Sequence, residues 1–228
     1  MSEAVVLLSG GLDSTVSLAH ALSLGYNVTA LSFNYGQRHI KELYAARAVS
    51  EFYALKNHVI VDMDLRSFNT SALTSNLIQV PVNRPLEDIG SDIPITYVPA
   101  RNIIFLSIAA GLCETIGASD IFIGANALDY SGYPDCRPEF FQAFERVLQV
   151  GTKSGVEGKM IKIQAPLLMM SKADIVRLGK RLGAPLQLTW SCYQGGSRAC
   201  GRCDSCLLRL KGFKEAGYED EIAYEVDV

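Results

Sequence analysis

Ser9-Gly10-Gly11-Leu12-Asp13-Ser14 follows directly on the apolar run Ala4 to Leu8. The run has the length of a buried strand, the glycines make a turn, and a helix opens at Asp13 or Ser14. A strand that passes so quickly into a helix leaves the helix's first N–H groups unpaired and pointing into the turn. The aligned peptide dipoles add partial positive charge at the same place, which makes the turn an anion site. Gly10 and Gly11 bring no Cβ to hold an anion away, and both permit positive φ. Ser9, Ser14 and Thr15 add hydroxyl donors. A phosphate is the expected guest.

The turn is not a Walker A loop, which needs a longer glycine stretch ending in Lys-Ser or Lys-Thr; no lysine lies between Met1 and Leu24. The pattern SGGxDS instead resembles the pyrophosphate loop (PP-loop) of the N-type ATP pyrophosphatases. That resemblance implies a grip on the β- and γ-phosphates, which leave together while AMP passes to an acceptor oxygen.

Outward from the loop, strand and helix signals alternate. Strands are expected at 28–33, 58–61 and 120–125. Helices are expected at 40–53, 102–116, 140–150 and 172–182, the last opening on the capping box Ser171-x-x-Asp174 and stopping before Gly183. Between them, residues 62–99 carry four prolines and read as a loop or lid. Alternation of this kind predicts an α/β fold with a doubly wound parallel sheet covered on both faces. Its ligand should sit beyond the carboxyl ends of the strands, where the first loop places a phosphate. With 228 residues and no linker-like stretch, residues 1–228 are expected to form one domain, of the PP-loop adenine-nucleotide hydrolase-like type, with a C-terminal segment 190–228.

Composition narrows the partners. A formal charge of −3 and a pI near 5.7 give no basic footprint, so direct nucleic-acid binding is not expected. The most apolar stretch, Ile103 to Cys113, is too short to span a bilayer. The start lacks the basic region and cleavage site of a signal peptide. A cytoplasmic protein with no membrane partner is expected; a homodimer stays open.

A second cluster lies near the end of the chain. Cys192, Cys200, Cys203 and Cys206 are four of six cysteines, spaced C-x7-C-x2-C-x2-C. In an intracellular chain such crowding favours metal over disulfides. Four thiolates with no further ligand suit one structural, tetrahedral Zn²⁺ per chain. The spacing matches neither ferredoxin pattern.

Taken together, the SGGLDST loop, Val98-Pro-Ala-Arg-Asn102, the segment Gly124 to Glu139 containing Asp129-Tyr-Ser-Gly-Tyr-Pro-Asp135, and the cysteine spacing resemble the 7-cyano-7-deazaguanine synthase family over almost the whole chain. The resemblance implies an ATP-dependent ligase in queuosine biosynthesis, which converts 7-carboxy-7-deazaguanine and ammonia to the nitrile. It would pass through adenylated acid and amide intermediates and release AMP and pyrophosphate, with Mg²⁺ accompanying ATP. The family's nucleotide segment falls on Leu8 to Leu18, with ATP contacts implied at Leu8, Ser9, Gly10, Gly11, Leu12, Asp13, Ser14 and Thr15, and at Ser32 and Tyr35, where superfamily backbone reads the adenine edge. Asp13 and Ser14, with Arg101 and Lys172 against the leaving pyrophosphate, are the catalytic candidates. Tyr133, Asp135, Arg137 and Glu139 are candidates for the deazaguanine, because a carboxylate suits its N1–H and 2-amino donors and a tyrosine its ring face.

Other residues read more plainly. His20, His39 and His58 stand too far apart to form a ligand set, Cys113 packs in an apolar helix, and Trp190 packs under the metal loop. Cys136 lies in the substrate segment, and residues 220–228 read as an acidic tail. Two other functions fit parts of the pattern: a tRNA-modifying PP-loop enzyme that adenylates a base carbonyl, and a non-catalytic regulator that binds zinc and nucleotide.

Overall fold

The computed structural model describes residues 2–38, 40–90, 92–128 and 132–225. His39, part of the segment 129–135 and the last three residues of the acidic tail therefore lie outside the described residues. Five parallel strands form one sheet: β1 (Glu3–Leu7), β2 (Asn27–Asn34), β3 (Asn57–Asp62), β4 (Asp120–Phe122) and β5 (Lys162–Gln164). Their order is β3-β2-β1-β4-β5. The helices are α1 (Leu12–Ser23), α2 (Lys41–Phe52), α3 (Arg101–Ile116), α4 (Pro138–Gly151), the single turn α5 (Lys153–Val156), α6 (Lys172–Arg181) and α7 (Asp204–Ala216).

Strand alternation divides the core. Val5 and Leu7 of β1 face one side, with Leu106 and Cys113 of α3 and Phe141, Phe144 and Leu148 of α4. Ala4, Val6 and Leu8 face the other, against Leu18 and Ala21 of α1 and Ala46 and Val49 of α2. Both faces of a parallel sheet are thereby buried, which is why its strands read as continuous apolar runs. The strand order reverses between β1 and β4, and the loop after β1 opens at that switch point. On its outer side α1 packs Leu12, Val16 and Ala19 against Ile175 and Val176 of α6 and Phe213 of α7.

Two expectations change. Residues 62–99 are a loop, but not a free lid. Ala72 and Val80 are buried with the four cysteines, the Arg38 guanidinium donates to the Ile78 carbonyl at 2.9 Å, and Asn83 N–H donates to the Arg202 carbonyl at 2.8 Å. The acidic tail is likewise anchored. Asp220 accepts two bonds from Arg209, at 2.6 and 2.9 Å, and Tyr224 is buried with the cysteines.

Two larger elements escape the sequence pattern. In α7 the buried face carries Arg209, 1% exposed, and a charge on the inner face breaks the apolar rhythm. β5 has only three residues and begins and ends on polar ones, at the edge of the sheet. Among the described residues no helix is long and apolar enough to cross a membrane.

Candidate phosphate site and cysteine centre

The loop after β1 turns at Gly10, whose φ is +84°, a conformation that L side chains rarely adopt. A Cβ there would fall on the Glu42 carbonyl oxygen and lie 2.5 Å from Ala46 N, both in α2. Gly11 differs: its φ is −78° and its Cβ position meets nothing closer than 3.4 Å. Gly10→Ala should therefore cost about 2 kcal/mol or more from backbone conformation and clash together. That corresponds to a fall of roughly 4–8 °C in thermal midpoint at this chain length. Gly11→Ala should leave the midpoint within about 1 °C, and scanning calorimetry of the two variants checks the contrast.

Gly11 is the N-cap of α1, with no side-chain capping bond, so the helix's first N–H groups remain directed into the loop. The hydroxyls are organised around them. Ser9 Oγ donates to Ser14 Oγ at 3.0 Å, Ser14 Oγ donates to the Gly11 carbonyl at 3.0 Å, and Gly11 N–H donates to Ser9 Oγ at 3.3 Å.

Lys172, the first residue of α6, reaches across to this loop. Its Nζ donates to both carboxylate oxygens of Asp13, at 2.9 and 2.8 Å. The lysine is 8% exposed and Asp13 19%. Capping places it: Ser171 Oγ accepts from Asp174 N–H at 3.2 Å, fixing the start of α6. Gly212 of α7 gives it passage, because a Cβ there would fall on the lysine's Cγ.

A cavity of about 240 Å³ opens in front of the loop, between the carboxyl ends of β1, β2 and β4. Leu8, Ser9, Gly11, Leu12, Asp13, Ser14, Tyr35, Arg101, Tyr133 and Lys172, all named from the sequence, line it together. On one wall the rings of Phe33 and Phe105 stack at 3.9 Å, a flat apolar surface suited to a heterocycle.

Other candidates lie elsewhere. Gly10 shapes the loop from behind, and Thr15 is fully buried in α1. Ser32 points to the opposite sheet face from Leu31 and Phe33, as strand alternation requires; there its hydroxyl bonds the Leu8 carbonyl and His58 Nε2. Asp135 is 4% exposed and accepts from Asn102 N–H at 3.1 Å, which places the carboxylate at the N-terminus of α3 rather than on the cavity wall. Arg137 caps α4 and is exposed, as is Glu139 in that helix's first turn.

Several lining residues carry no sequence signal of their own. Glu42 sits beside the apolar rhythm of α2 without standing out from it. Trp190 is more than packing under the metal loop. Its N–H donates to the Gly10 carbonyl at 2.9 Å, its indole Nε1–H donates to the Cys192 carbonyl at 2.9 Å, and Lys41 Nζ lies 4.3 Å from the ring centroid. This residue ties the phosphate loop to the cysteine segment. Tyr193 and Arg209 complete that side of the cavity.

Cys192, Cys200, Cys203 and Cys206 are all buried, and their Sγ atoms lie within 4.8 Å of one another. Cys200 and Cys206 stand 3.9 Å apart. A tetrahedral ion with metal–sulfur bonds near 2.3 Å separates its sulfurs by about 3.8 Å, so the set could hold one metal ion. Backbone N–H groups of Gln194 and Cys200 point at Cys192 Sγ, and those of Arg202 and Cys203 at Cys200 Sγ, at 3.3–3.4 Å.

Known proteins resemble this chain along nearly its whole length. A family model described as queuosine biosynthesis protein QueC matches residues 3–217. The 7-cyano-7-deazaguanine synthase of Thermoplasma acidophilum is 59% identical over 98% of this chain and 92% of its own length. That of Picrophilus torridus is 60% identical over 99% and 92%, and that of Acetivibrio thermocellus 57% identical over 98% of each. Among solved structures, NMN synthetase from Francisella tularensis aligns over 96% of this chain and 78% of its own, at 16% identity and a TM-score of 0.51. A predicted subunit of tRNA methyltransferase from Methanocaldococcus jannaschii aligns over 79% and 75%, at 18% identity and a TM-score of 0.50. Those two likenesses concern the fold alone, a parallel sheet with helices on both faces.

Proposed function

The chain belongs to the QueC family of queuosine biosynthesis proteins, and from that membership we propose its reaction. It is a ligase that converts 7-carboxy-7-deazaguanine and ammonia to 7-cyano-7-deazaguanine at the expense of two ATP. The uncapped N-terminus of α1 and the Asp13–Lys172 pair, facing one cavity beside stacked aromatic rings, carry the reading.

A carboxylate is a poor electrophile. In the first round one of its oxygens attacks the α-phosphorus of ATP and pyrophosphate leaves. The N–H groups of the loop and the cations Lys172 and Arg101 stabilise that leaving charge. Ammonia then displaces AMP to give the amide. In the second round the amide oxygen attacks another α-phosphorus, and loss of AMP completes the C≡N bond. The same loop serves both rounds, because the nucleophile is an acyl oxygen each time. The chain's contribution is mainly position and charge. Mg²⁺ would neutralise the phosphates when bound with ATP, and Asp13, the carboxylate at the loop, is the residue to hold it.

Of the deazaguanine candidates, Tyr133 lines the cavity and is assigned to the substrate, its hydroxyl held 2.8 Å from Thr96 Oγ1. The four cysteines are assigned one structural Zn²⁺, which a set of four thiolates with no open position suits. Thiols kept for metal point to a reducing compartment, the cytoplasm.

Two AMP and two pyrophosphate should form per nitrile, with ¹⁵N from labelled ammonium in the product when unlabelled glutamine is also present. Ion-pair chromatography and product mass read both. ADP as the stoichiometric product, or an unlabelled nitrile nitrogen, would refute the assignment.

A further inference from the structure

We propose that the Glu42 carboxylate takes the protons that leave nitrogen in both rounds, a role that rests on the reaction above. In the first round the ammonia lone pair forms a C–N bond. The added nitrogen then loses a proton as the C–O bond breaks and its electron pair leaves with AMP. In the second round the O-adenylated amide nitrogen, doubly bonded to carbon and still carrying two hydrogens, loses one proton to give the neutral imidate; its remaining N–H bond then breaks as the third C–N bond forms. The C–O bond breaks at the same carbon, again carrying its pair to AMP. Neither oxidant nor reductant is needed, but each round requires a proton acceptor at the cavity.

Among the described residues two carboxylates line the cavity, Asp13 and Glu42. Asp13 has both oxygens engaged by Lys172. The Glu42 carboxylate forms no ion pair or hydrogen bond among the described residues. It stands in the first turn of α2, and its own carbonyl lies against Gly10, so its position is fixed to the phosphate loop.

The groups facing it are Arg101 from α3 and Tyr35 beyond β2, with Asp13, Lys172, Tyr133 and Cys136 elsewhere on the wall. Burial pushes the Glu42 carboxyl up to about 7, against the pull of Arg101. Burial likewise raises the Tyr35 hydroxyl to about 12 and the Cys136 thiol to about 11, so both keep their protons at neutral pH. A base is most effective when it titrates near the working pH, and Glu42 does.

The test begins from the amide, whose conversion consumes no ammonia, so ammonium's own titration cannot enter the pH profile. With amide and ATP, Glu42→Gln should still exchange labelled pyrophosphate into ATP. Nitrile formation should fall about 100-fold or more, with Glu42→Asp in between. Wild-type single turnovers should rise with pH through about 7, and the Gln variant should lack that limb. Persisting exchange also reports that the variant folds. Exchange and nitrile formation falling together, or nitrile formation unchanged in Glu42→Gln, would overturn the role. Absence of any acid- or amide-dependent exchange by the wild-type protein would instead remove the parent reaction and this role with it.

Discussion

Cys203→Ser is expected to leave the protein nearly free of zinc and largely insoluble, against about one zinc per chain in the wild type. The four sulfurs are buried among Ala72, Val80 and Tyr224 and have little apolar surface of their own to hold that region together. The metal would cross-link what the core there does not. Structural zinc sites supply about 10–16 kcal/mol of folding free energy at neutral pH, comparable with the roughly 5–15 kcal/mol that stabilises a whole domain. The damage should spread to the phosphate site, since Trp190 joins the Gly10 carbonyl to the Cys192 carbonyl. Cys113→Ala, deep in α3 and far from the cluster in sequence, is the control and should keep its metal. Elemental analysis alongside the soluble yield reads the result. Full zinc in variants of all four cysteines would sink the assignment.

Lys172→Met is expected to lower acid-dependent AMP formation by about 10²- to 10³-fold, the loss typical when one fixed donor to a developing charge is removed. Methionine keeps most of the volume, so the lost charge is what is measured. The variant also strands Asp13, 19% exposed, without its partner. Breaking a buried pair costs about 3–5 kcal/mol, and the partial exposure here should bring the cost to the lower end or below. Asp13→Asn in the same chain should recover much of that stability without recovering turnover, separating the structural role of the pair from the chemical one. Lys172→Arg should not rescue, since Gly212 leaves room for a narrow stem and the guanidinium is a broad planar fork. Calorimetry and pyrophosphate release, measured on the same preparations, test all three variants. Wild-type turnover in Lys172→Met would remove the lysine from the mechanism.

The two ends of the chain were legible for different reasons. The phosphate loop is local: six adjacent residues set the strand end, the turn and the helix start, so their order alone implies an anion site. The cysteines are legible because thiol spacing within a short segment is itself the ligand geometry. The strands near the middle of the sheet and the helices packed on them declare themselves through apolar runs and periodicity. The edge strand β5 is too short and too polar to do so, and α7 hides behind a buried Arg209 whose partner, Asp220, lies eleven residues away.

What only the tertiary structure decided is which of the named residues meet. Lys172 and Asp13 stand 159 positions apart, and nothing in either neighbourhood foretells a shared bond. Strand parity turned Ser32 away from the cavity while aiming Leu31 and Phe33 into it. Helix starts claimed Asp135, Arg137 and Glu139 for α3 and α4, and the fold brought Glu42 and Trp190 to the loop instead. Local patterns follow from bonding between neighbours in the chain and are written in consecutive residues. The cavity is enclosed by the ends of β1, β2 and β4 and by helix starts brought together by core packing, so its lining is a property of the assembled layers.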